Sequence, residues 1–282
     1  MFDAGLVLEG GGMKGVYTAG VLDFFIDKNM DFKNVYGVSA GACTMSSYLS
    51  KQRGRGKDVF IDYVGEKGYM SYYSLFTTGD IFNVNMSYDL VPNYLNPYDY
   101  KAFLEYEGNA FAVVTNIDTG EAEYIKLTDM EKDVQYVRAS SSLPLVSRNV
   151  KINGKYYLDG GIADPIPIRK SEEDGNVKNI VVMTKPVGFI REPEKTLPLV
   201  KLRYLNFPKV YDLMKVRHIT YNETVEYLEK QEKAGKLILL RPQTDTHIDR
   251  MEKDVAKLEA LYEMGYKDAC AAYDRIIEYL NA

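Results

Sequence analysis

Cysteine and histidine are both scarce in this sequence, with two residues of each among 282. Cys43 and Cys270 are too few for a disulfide framework, and neither has partners at metal-ligand spacing. We therefore expect a protein of a reducing compartment, the cytoplasm, and no metal site. The two histidines, His218 and His247, leave few choices for a catalytic base.

An excess of positive charge is also absent, since 35 Lys and Arg residues stand against 40 Asp and Glu residues, with a pI near 5.3. This balance argues against nucleic acid as a partner. No stretch approaches the roughly twenty apolar residues that span a bilayer, so contact with a membrane is expected to be peripheral at most. The first residues lack the basic and long apolar regions of a signal peptide, and none is expected.

The sequence does contain a serine framed by two glycines, Gly37-Val38-Ser39-Ala40-Gly41. The residues before Ser39 are typical of a short buried strand and those after it of a helix. This pattern is typical of a strained strand-to-helix turn that holds a serine hydroxyl clear of its neighbours, as a nucleophile requires. A simple tight turn would satisfy the same five residues, because the pattern is short.

A glycine-rich loop, Gly10-Gly11-Gly12-Met13-Lys14-Gly15, lies between a predicted strand and a predicted helix. Such a loop exposes successive backbone N–H groups at the positive end of a helix and can hold a phosphate or a developing oxyanion. Its spacing also fits a dinucleotide loop, although the acidic residue expected about twenty positions later would be Asp31, which precedes a strand. The glycines could instead serve only close packing of helix on strand.

Predicted strands and helices alternate over most of the chain, which favours a mostly parallel sheet covered on both faces. The predicted strands are 4–9, 35–38, 110–117, 121–127, 150–152, 155–158, 179–183 and 236–240, and the predicted helices are 16–27, 41–51, 133–140, 209–234, 249–264 and 267–280. Residues 60–106 are rich in aromatic side chains and predict short helices and loops over one edge of the fold. Their rings could line a pocket for an apolar chain or simply pack.

Two charged stretches have open interpretations. Asp159-Gly160-Gly161 follows a predicted hairpin, so Asp159 is either a catalytic carboxylate at the rim of a sheet or an acidic turn residue. Residues 51–57 carry four cations, which could meet a phosphate head group but more often form a solvated helix end.

Neither histidine lies in a stretch with the pattern of a catalytic base. His218 falls within a predicted helix, and His247 lies in a polar segment before another helix. A carboxylate is therefore the more economical base for a serine nucleophile.

Together these blocks resemble the patatin-like phospholipases, serine acyl hydrolases that use a Ser–Asp dyad. The likeness rests on the glycine loop 10–15, the serine block 37–41 and Asp159-Gly160-Gly161 in that order, with the 139–144 stretch Ala-Ser-Ser-Ser-Leu-Pro before the aspartate, and it spans residues 5 to about 185. It implies that Ser39 is the nucleophile and Asp159 the base. The remaining implied site residues are Gly10, Gly11, Gly12 and Met13 as the oxyanion hole, with Lys14, Gly15, Gly37, Gly41, Gly160 and Gly161 in supporting positions.

The resemblance implies a three-layer α/β/α sandwich with a mostly parallel central sheet. We expect a catalytic domain over residues 1–200 and a mainly helical extension over residues 201–282 packed on it. The expected function is hydrolysis of fatty-acyl esters of phospholipid or lysophospholipid, with a lipid or acyl ester as the partner and no cofactor. The alternatives are a lipid-binding or regulatory protein on the same fold and a nucleotide-binding protein that uses the glycine loop.

Overall fold

One eight-stranded sheet runs through the protein, whose computed structural model describes residues 1–282. The strands are β1 (Phe2–Leu8), β2 (Phe32–Val38), β3 (Asn109–Asn116), β4 (Ala122–Leu127), β5 (Val150–Ile152), β6 (Lys155–Asp159), β7 (Asn179–Val182) and β8 (Ile238–Leu240). The order is β5-β6-β3-β2-β1-β7-β8, and β4 pairs with β3. Along the stretch of this order that runs β3-β2-β1-β7-β8, all neighbouring strands are parallel. The strands β4 and β6 each pair with β3, and β5 pairs with β6, in the antiparallel direction. The mostly parallel sheet expected from the sequence is confirmed.

Ten α-helices surround or extend this sheet. They are α1 (Gly15–Asp27), α2 (Ala40–Leu49), α3 (Arg55–Ile61), α4 (Tyr72–Thr78), α5 (Tyr100–Leu104), α6 (Met130–Ser140), α7 (Ile168–Glu173), α8 (Leu197–Arg203), α9 (Pro208–Lys233) and α10 (Val255–Asn281). Two 3-10 turns, Gly12–Lys14 and Gly160–Ile162, and a π-helix, Met86–Leu95, complete the fold.

Successive side chains of the central strands enter different cores. On β1, Leu6 and Leu8 join the core formed with α1, α2 and α10, whereas Val7 joins the core formed with α7 and α9. Alternation is the geometry of a strand, and burial on both faces explains why these strands are almost wholly apolar. The protein is thus the three-layer α/β/α sandwich expected from the sequence.

Two strands, β2 and β6, pair with successive parts of the same edge of β3. β4 pairs with one edge of β3 along residues 110–115, so β2 and β6 must share the opposite edge. β2 ends where Val38 pairs with Val113, and β6 ends where Asp159 pairs with Val114. The ends of β2 and β6 therefore meet at consecutive positions of β3.

Residues 55–104 form four short helical segments, in agreement with the irregular segment predicted over 60–106. The interpretation of residues 51–57 as a solvated helix end is wrong for Arg55, which is buried and starts α3. Its guanidinium donates to the Asn96 carbonyl at 3.0 Å and to Ser47 Oγ at 3.2 Å, and it lies over the ring of Tyr98. This arginine ties the segment to α2.

The C-terminal region differs from the prediction in one respect. The two helices predicted over 249–264 and 267–280 are one helix, α10, because Gly265 is a contact point and not a break. A Cβ atom at Gly265 would lie 2.1 Å from the carbonyl oxygen of Tyr17, so glycine lets α10 cross α1 closely. β8 from the same region pairs with β7. The division at residue 200 remains a prediction, and α7 and α8 are helices that the sequence pattern did not predict.

Candidate active site

Ser39 occupies the sharp turn between β2 and α2. Its backbone has φ 54° and ψ −123°, a conformation that a non-glycine residue adopts only under constraint. The constraint comes from close packing around both framing glycines: a Cβ atom at Gly37 would lie 2.6 Å from Cα of Ala42, and one at Gly41 would lie 2.5 Å from the Leu8 carbonyl oxygen. The framed serine pattern is thus a strained turn and not an ordinary one.

Asp159 is the last residue of β6, and its register on β3 brings it beside the Ser39 turn. Its side chain is buried, and Oδ1 accepts a hydrogen bond from the Gly161 amide at 2.7 Å. Burial raises the pKa of this carboxyl, while the nearby Arg217 charge and the Ser39 hydroxyl act to lower that pKa. A carboxylate that is desolvated and fixed beside a serine hydroxyl has the properties of a general base.

The glycine loop packs directly against this turn. A Cβ atom at Gly10 would lie 2.7 Å from Cβ of Ser39, so only glycine fits there. The amides of Gly11 and Gly12 donate to no group of the protein, whereas the Met13 amide donates to the Arg250 carbonyl at 3.0 Å. The Met13 donor is therefore occupied, and the free donors of the loop are those of the glycines.

The supporting residues lie at close contacts around the site. Gly15 begins α1, where a Cβ atom would lie 2.7 Å from Cβ of Ala40, and Gly160 lies where a Cβ atom would be 2.2 Å from the Val113 carbonyl oxygen. Gly161 supplies the amide that fixes Asp159. Lys14 is half-buried and ends the 3-10 turn of the loop.

The end of α6 holds both sides of the site in place. The Ser39 amide donates to Ser140 Oγ at 2.8 Å, and the Asp159 amide donates to the Ser142 carbonyl at 2.8 Å. Sequence reasoning singled out the 139–144 stretch but gave these serines no role. A serine-rich helix end is the only signal for them, and it does not say which residue each would hold.

Glu9 is buried at the end of β1, next to the glycine loop. Its carboxylate accepts hydrogen bonds from the Thr184 amide at 2.6 Å and from the Tyr221 hydroxyl at 2.9 Å. Thr184 follows β7 and Tyr221 belongs to α9, so Glu9 is held from the side of the sheet that α9 covers.

Two cavities meet at Ser39. The larger encloses about 1130 Å³ of space, partly open to solvent, and most of its 26 lining residues are hydrophobic. Those that contribute rings or branched chains include Val59, Phe60, Tyr69, Phe82, Val84, Tyr88, Val91, Val134 and Val137. The smaller, of about 370 Å³, has only two hydrophobic residues among 14 and carries four cations, Lys185, Arg191, Arg217 and Arg250. Sequence reasoning did not single out these cations.

Both histidines are absent from the lining of these cavities. The His247 side chain is 84% exposed and lies 3.5 Å from Asp245, and His218 Nδ1 is buried without a hydrogen-bond partner. Asp31, which a dinucleotide site would use, precedes β2 and pairs with Lys51. Neither a histidine base nor a dinucleotide site is assembled around the glycine loop.

The fold and the site define an α/β/α protein with a glycine-rich loop facing a strained serine turn and a buried carboxylate. The family model described as patatin-like phospholipase matches residues 6–170, and the chain belongs to that family. Residues 207–281 match a second model, a domain of unknown function called DUF6363.

Relatives of this chain extend over nearly all of its length. Uncharacterized protein YjjU of Escherichia coli (strain K12) is 25% identical over 92% of this chain and 74% of its own length. Lysophospholipase NTE1 of Kluyveromyces lactis is 24% identical and that of Yarrowia lipolytica 26% identical, each over 93% of this chain; the matches span 18% and 19% of those longer proteins. Membership of the patatin-like phospholipase family supports a lipid acyl hydrolase.

A solved structure, that of VipD from Legionella pneumophila, aligns over 98% of this chain and 67% of its own with a TM-score of 0.49 and 14% identity. None of the helices of the present protein is both long and apolar enough to cross a membrane.

Proposed function

We propose that the protein is a serine acyl hydrolase that cleaves fatty-acyl esters of phospholipid or lysophospholipid, with Ser39 as nucleophile and Asp159 as base. The observation that carries the proposal is the position of Ser39, strained and beside a buried carboxylate, at the mouth of a largely apolar cavity. An acyl chain in that cavity would bring its ester carbonyl to the serine. The name lysophospholipase carried by two relatives agrees with this substrate class.

In the proposed reaction, Ser39 Oγ attacks the ester carbonyl carbon while its proton passes to Asp159. The carbonyl electron pair moves onto oxygen, where the amides of Gly11 and Gly12 stabilise the negative charge. Collapse expels the alcohol, which takes the proton from Asp159, and leaves the acyl group on Ser39. Water then attacks this ester, Asp159 accepts and returns the proton, and the fatty acid leaves.

The hydrogen bonds of the glycine loop indicate which amides are free to form the proposed oxyanion hole. Gly10, Gly11 and Gly12 all have free amide donors, and Gly10 is also the contact that lets the loop approach Ser39. Met13 would join the hole only if its amide left the Arg250 carbonyl. A hole of two donors is sufficient for a tetrahedral intermediate.

We also propose peripheral contact with a lipid surface, because the chain segment that supplies much of the apolar cavity's lining also exposes aromatic side chains. On α4, Tyr72 and Phe76 are largely exposed, and Tyr94 of the π-helix is exposed in the same region of the chain. Aromatic side chains of this kind partition into the interfacial layer of a membrane. The free thiols of Cys43 and Cys270 favour the cytoplasm as the compartment.

The experiment that tests the proposal is intact-mass measurement after incubation with a fluorophosphonate ester, followed by peptide mapping. We expect one adduct on Ser39 and none in a folded Asp159→Asn variant, together with release of fatty acid from lysophospholipid vesicles. A folded protein that binds such vesicles but never forms the adduct and never releases fatty acid would be a lipid-binding protein instead.

A further inference from the structure

The small cavity next to Ser39 concentrates positive charge that the proposed chemistry does not use. Lys185, Arg191, Arg217 and Arg250 all line it, and none of the four lies within 4.0 Å of a carboxylate oxygen. Lys185, Arg191 and Arg217 are partly buried, and such cations usually have carboxylate partners, because removing a charge from water is costly. Their absence indicates a place for an anion from outside the chain.

The carboxylates near this cavity are already engaged elsewhere. Glu9 accepts from Thr184 and Tyr221, and Asp159 from Gly161. Glu194 accepts from the Thr196 amide at 3.0 Å and the Thr196 hydroxyl at 2.7 Å. Burial, together with the like charges of Arg191 and Arg250, lowers the pKa of Arg217 to about 10. The cations therefore repel one another across the cavity.

The three arginines are held in position by different segments. The Arg191 peptide is clamped by the Asn222 side chain, which accepts from its N–H at 2.9 Å and donates to its carbonyl at 3.1 Å. Its guanidinium lies 4.2 Å from the centre of the Tyr221 ring. Arg217 Nε donates to the Gly161 carbonyl at 2.6 Å, and the Arg250 carbonyl accepts from Met13. The guanidinium groups of Arg191 and Arg217 are thus held before any ligand arrives, and Arg250 is held through its backbone.

We infer that this cavity binds the phosphate group of the substrate, so that Ser39 cleaves acyl esters whose alcohol carries a phosphate close to the ester bond. The inference rests on the proposed function and adds a substrate preference to it. Guanidinium groups match phosphate oxygens with paired, charge-assisted hydrogen bonds. The acyl chain lies in the apolar cavity, the phosphate lies among the cations, and hydrolysis yields a fatty acid and a phosphate-bearing alcohol.

The number of cations also favours one kind of head group. Four positive charges face a cavity with two neighbouring carboxylates, Glu9 and Asp159, in its lining. A head group with a phosphate and no amine adds only negative charge, whereas a choline head group brings a positive charge into the same surroundings. The preferred substrates are therefore anionic, with a phosphomonoester or an uncharged alcohol on the phosphate.

The test compares three oleoyl esters presented in the same detergent micelles: lysophosphatidic acid, lysophosphatidylcholine and monooleoylglycerol. The wild-type protein should prefer lysophosphatidic acid by kcat/KM. Arg191→Gln should lower kcat/KM for that substrate by about ten- to a hundredfold, the range expected for one charge-assisted hydrogen bond, and change the value for monooleoylglycerol less than twofold. Arg275→Gln, on α10 and paired with Glu232, is the matched control and should change neither.

A second measurement keeps this inference separate from the proposed function. Isothermal titration with glycerol 3-phosphate should detect binding to the wild type and the Ser39→Ala variant and weaker binding to Arg191→Gln. If no ester is hydrolysed but glycerol 3-phosphate binds as expected, the proposed function is wrong and the phosphate site is supported. If all three esters are cleaved equally, or Arg191→Gln loses activity on all of them alike, the phosphate inference is wrong. Binding of inorganic phosphate without any substrate preference would also overturn it, since the anion would then be a free one.

Discussion

The two cavities that meet at Ser39 share Gly12, Ser39 and Leu143 in their lining but have opposite chemistry. The apolar cavity is lined by residues between Gly12 and Ser147, mostly from the aromatic segment after α2 and from α6. The cationic cavity takes its four charges from residues 185–250, beyond the range that the patatin-like phospholipase model matches. The apolar cavity thus lies within the range that the family model matches, whereas the cations of the smaller cavity come from the region that follows that range. Under the proposed function, the apolar cavity would select the acyl chain and the cations would select the head group.

The largest effect is expected where the two cavities join. Ser39→Ala removes the proposed nucleophile and should lower ester hydrolysis by roughly a thousandfold or more on every substrate. The thermal midpoint should change little, because the hydrogen bond to Ser140 uses the Ser39 backbone amide. Fatty-acid release and circular dichroism check the two expectations. Substantial activity in a folded variant would remove Ser39 from the mechanism and leave the two cavities without a common centre.

The pH dependence of hydrolysis should show that the cations act on Asp159, the proposed base. Burial raises the pKa of Asp159, and Arg217 and Arg250 act against that rise. Since only the ionised carboxylate accepts the serine proton, kcat/KM should fall as pH decreases through this raised pKa. Arg217→Gln removes a cation that favours ionisation, so the acidic limb of the pH profile should move to higher pH. A profile that moves to lower pH, or one that depends on His218→Gln or His247→Gln, would contradict Asp159 as the base.

The apolar cavity can be shortened without touching the cations. Val134 is a half-buried residue of α6 that lines this cavity, and Val134→Trp would fill part of it. We expect kcat/KM for long-chain esters to fall by about tenfold relative to short-chain esters, because a lost apolar contact of a few methylenes has about this effect. A series of p-nitrophenyl esters of increasing length measures it, and Val134→Leu serves as the milder control. An equal loss at every length would show that the cavity does not bind the chain.

The smallest effect is expected from Lys185. Burial lowers its pKa to about 8, while Glu9 acts in the opposite direction and Lys14, Arg191 and Arg250 add to the lowering. Lys185 therefore carries its charge below about pH 8 and loses it above. The preference for an anionic over a neutral ester should decline severalfold between pH 7 and pH 9, with the ratio of kcat/KM values as the measurement. In Lys185→Met the ratio should be lower at pH 7 and change less with pH, and an unchanged profile would place Lys185 outside the anion site.

Most of the fold could be predicted because its elements have local signals. The strand and helix pattern up to residue 185 agrees with the structure except for the short helix α7, since alternating and helical periodicities reflect which residues are buried. The break predicted near residue 266 is wrong for a reason that local sequence does not contain. Gly265 permits a close crossing with α1 at Tyr17, and a glycine in a helix gives the same local signal whether it ends the helix or packs against another.

The candidate site could be predicted in part. The glycine loop, the framed serine and the aspartate block carry recognisable spacings, whereas Ser140 and the cations of the small cavity do not. A lone arginine in a linker or on a helix resembles any solvated residue until its surroundings are known. The sequence also could not show that the Met13 amide is occupied, because its acceptor is the carbonyl of Arg250, far along the chain.

The sequence by itself therefore determined the layer order of the fold and the residue types of its reactive blocks, because hydrophobic periodicity and glycine spacing are properties of short segments. The tertiary structure alone decided what those blocks face. The shared edge of β3 sets Asp159 beside Ser39, and the segments after β7 set unpaired cations beside both. Burial and charge pairing depend on residues distant in the chain, so the physical character of the site arises only when the layers assemble.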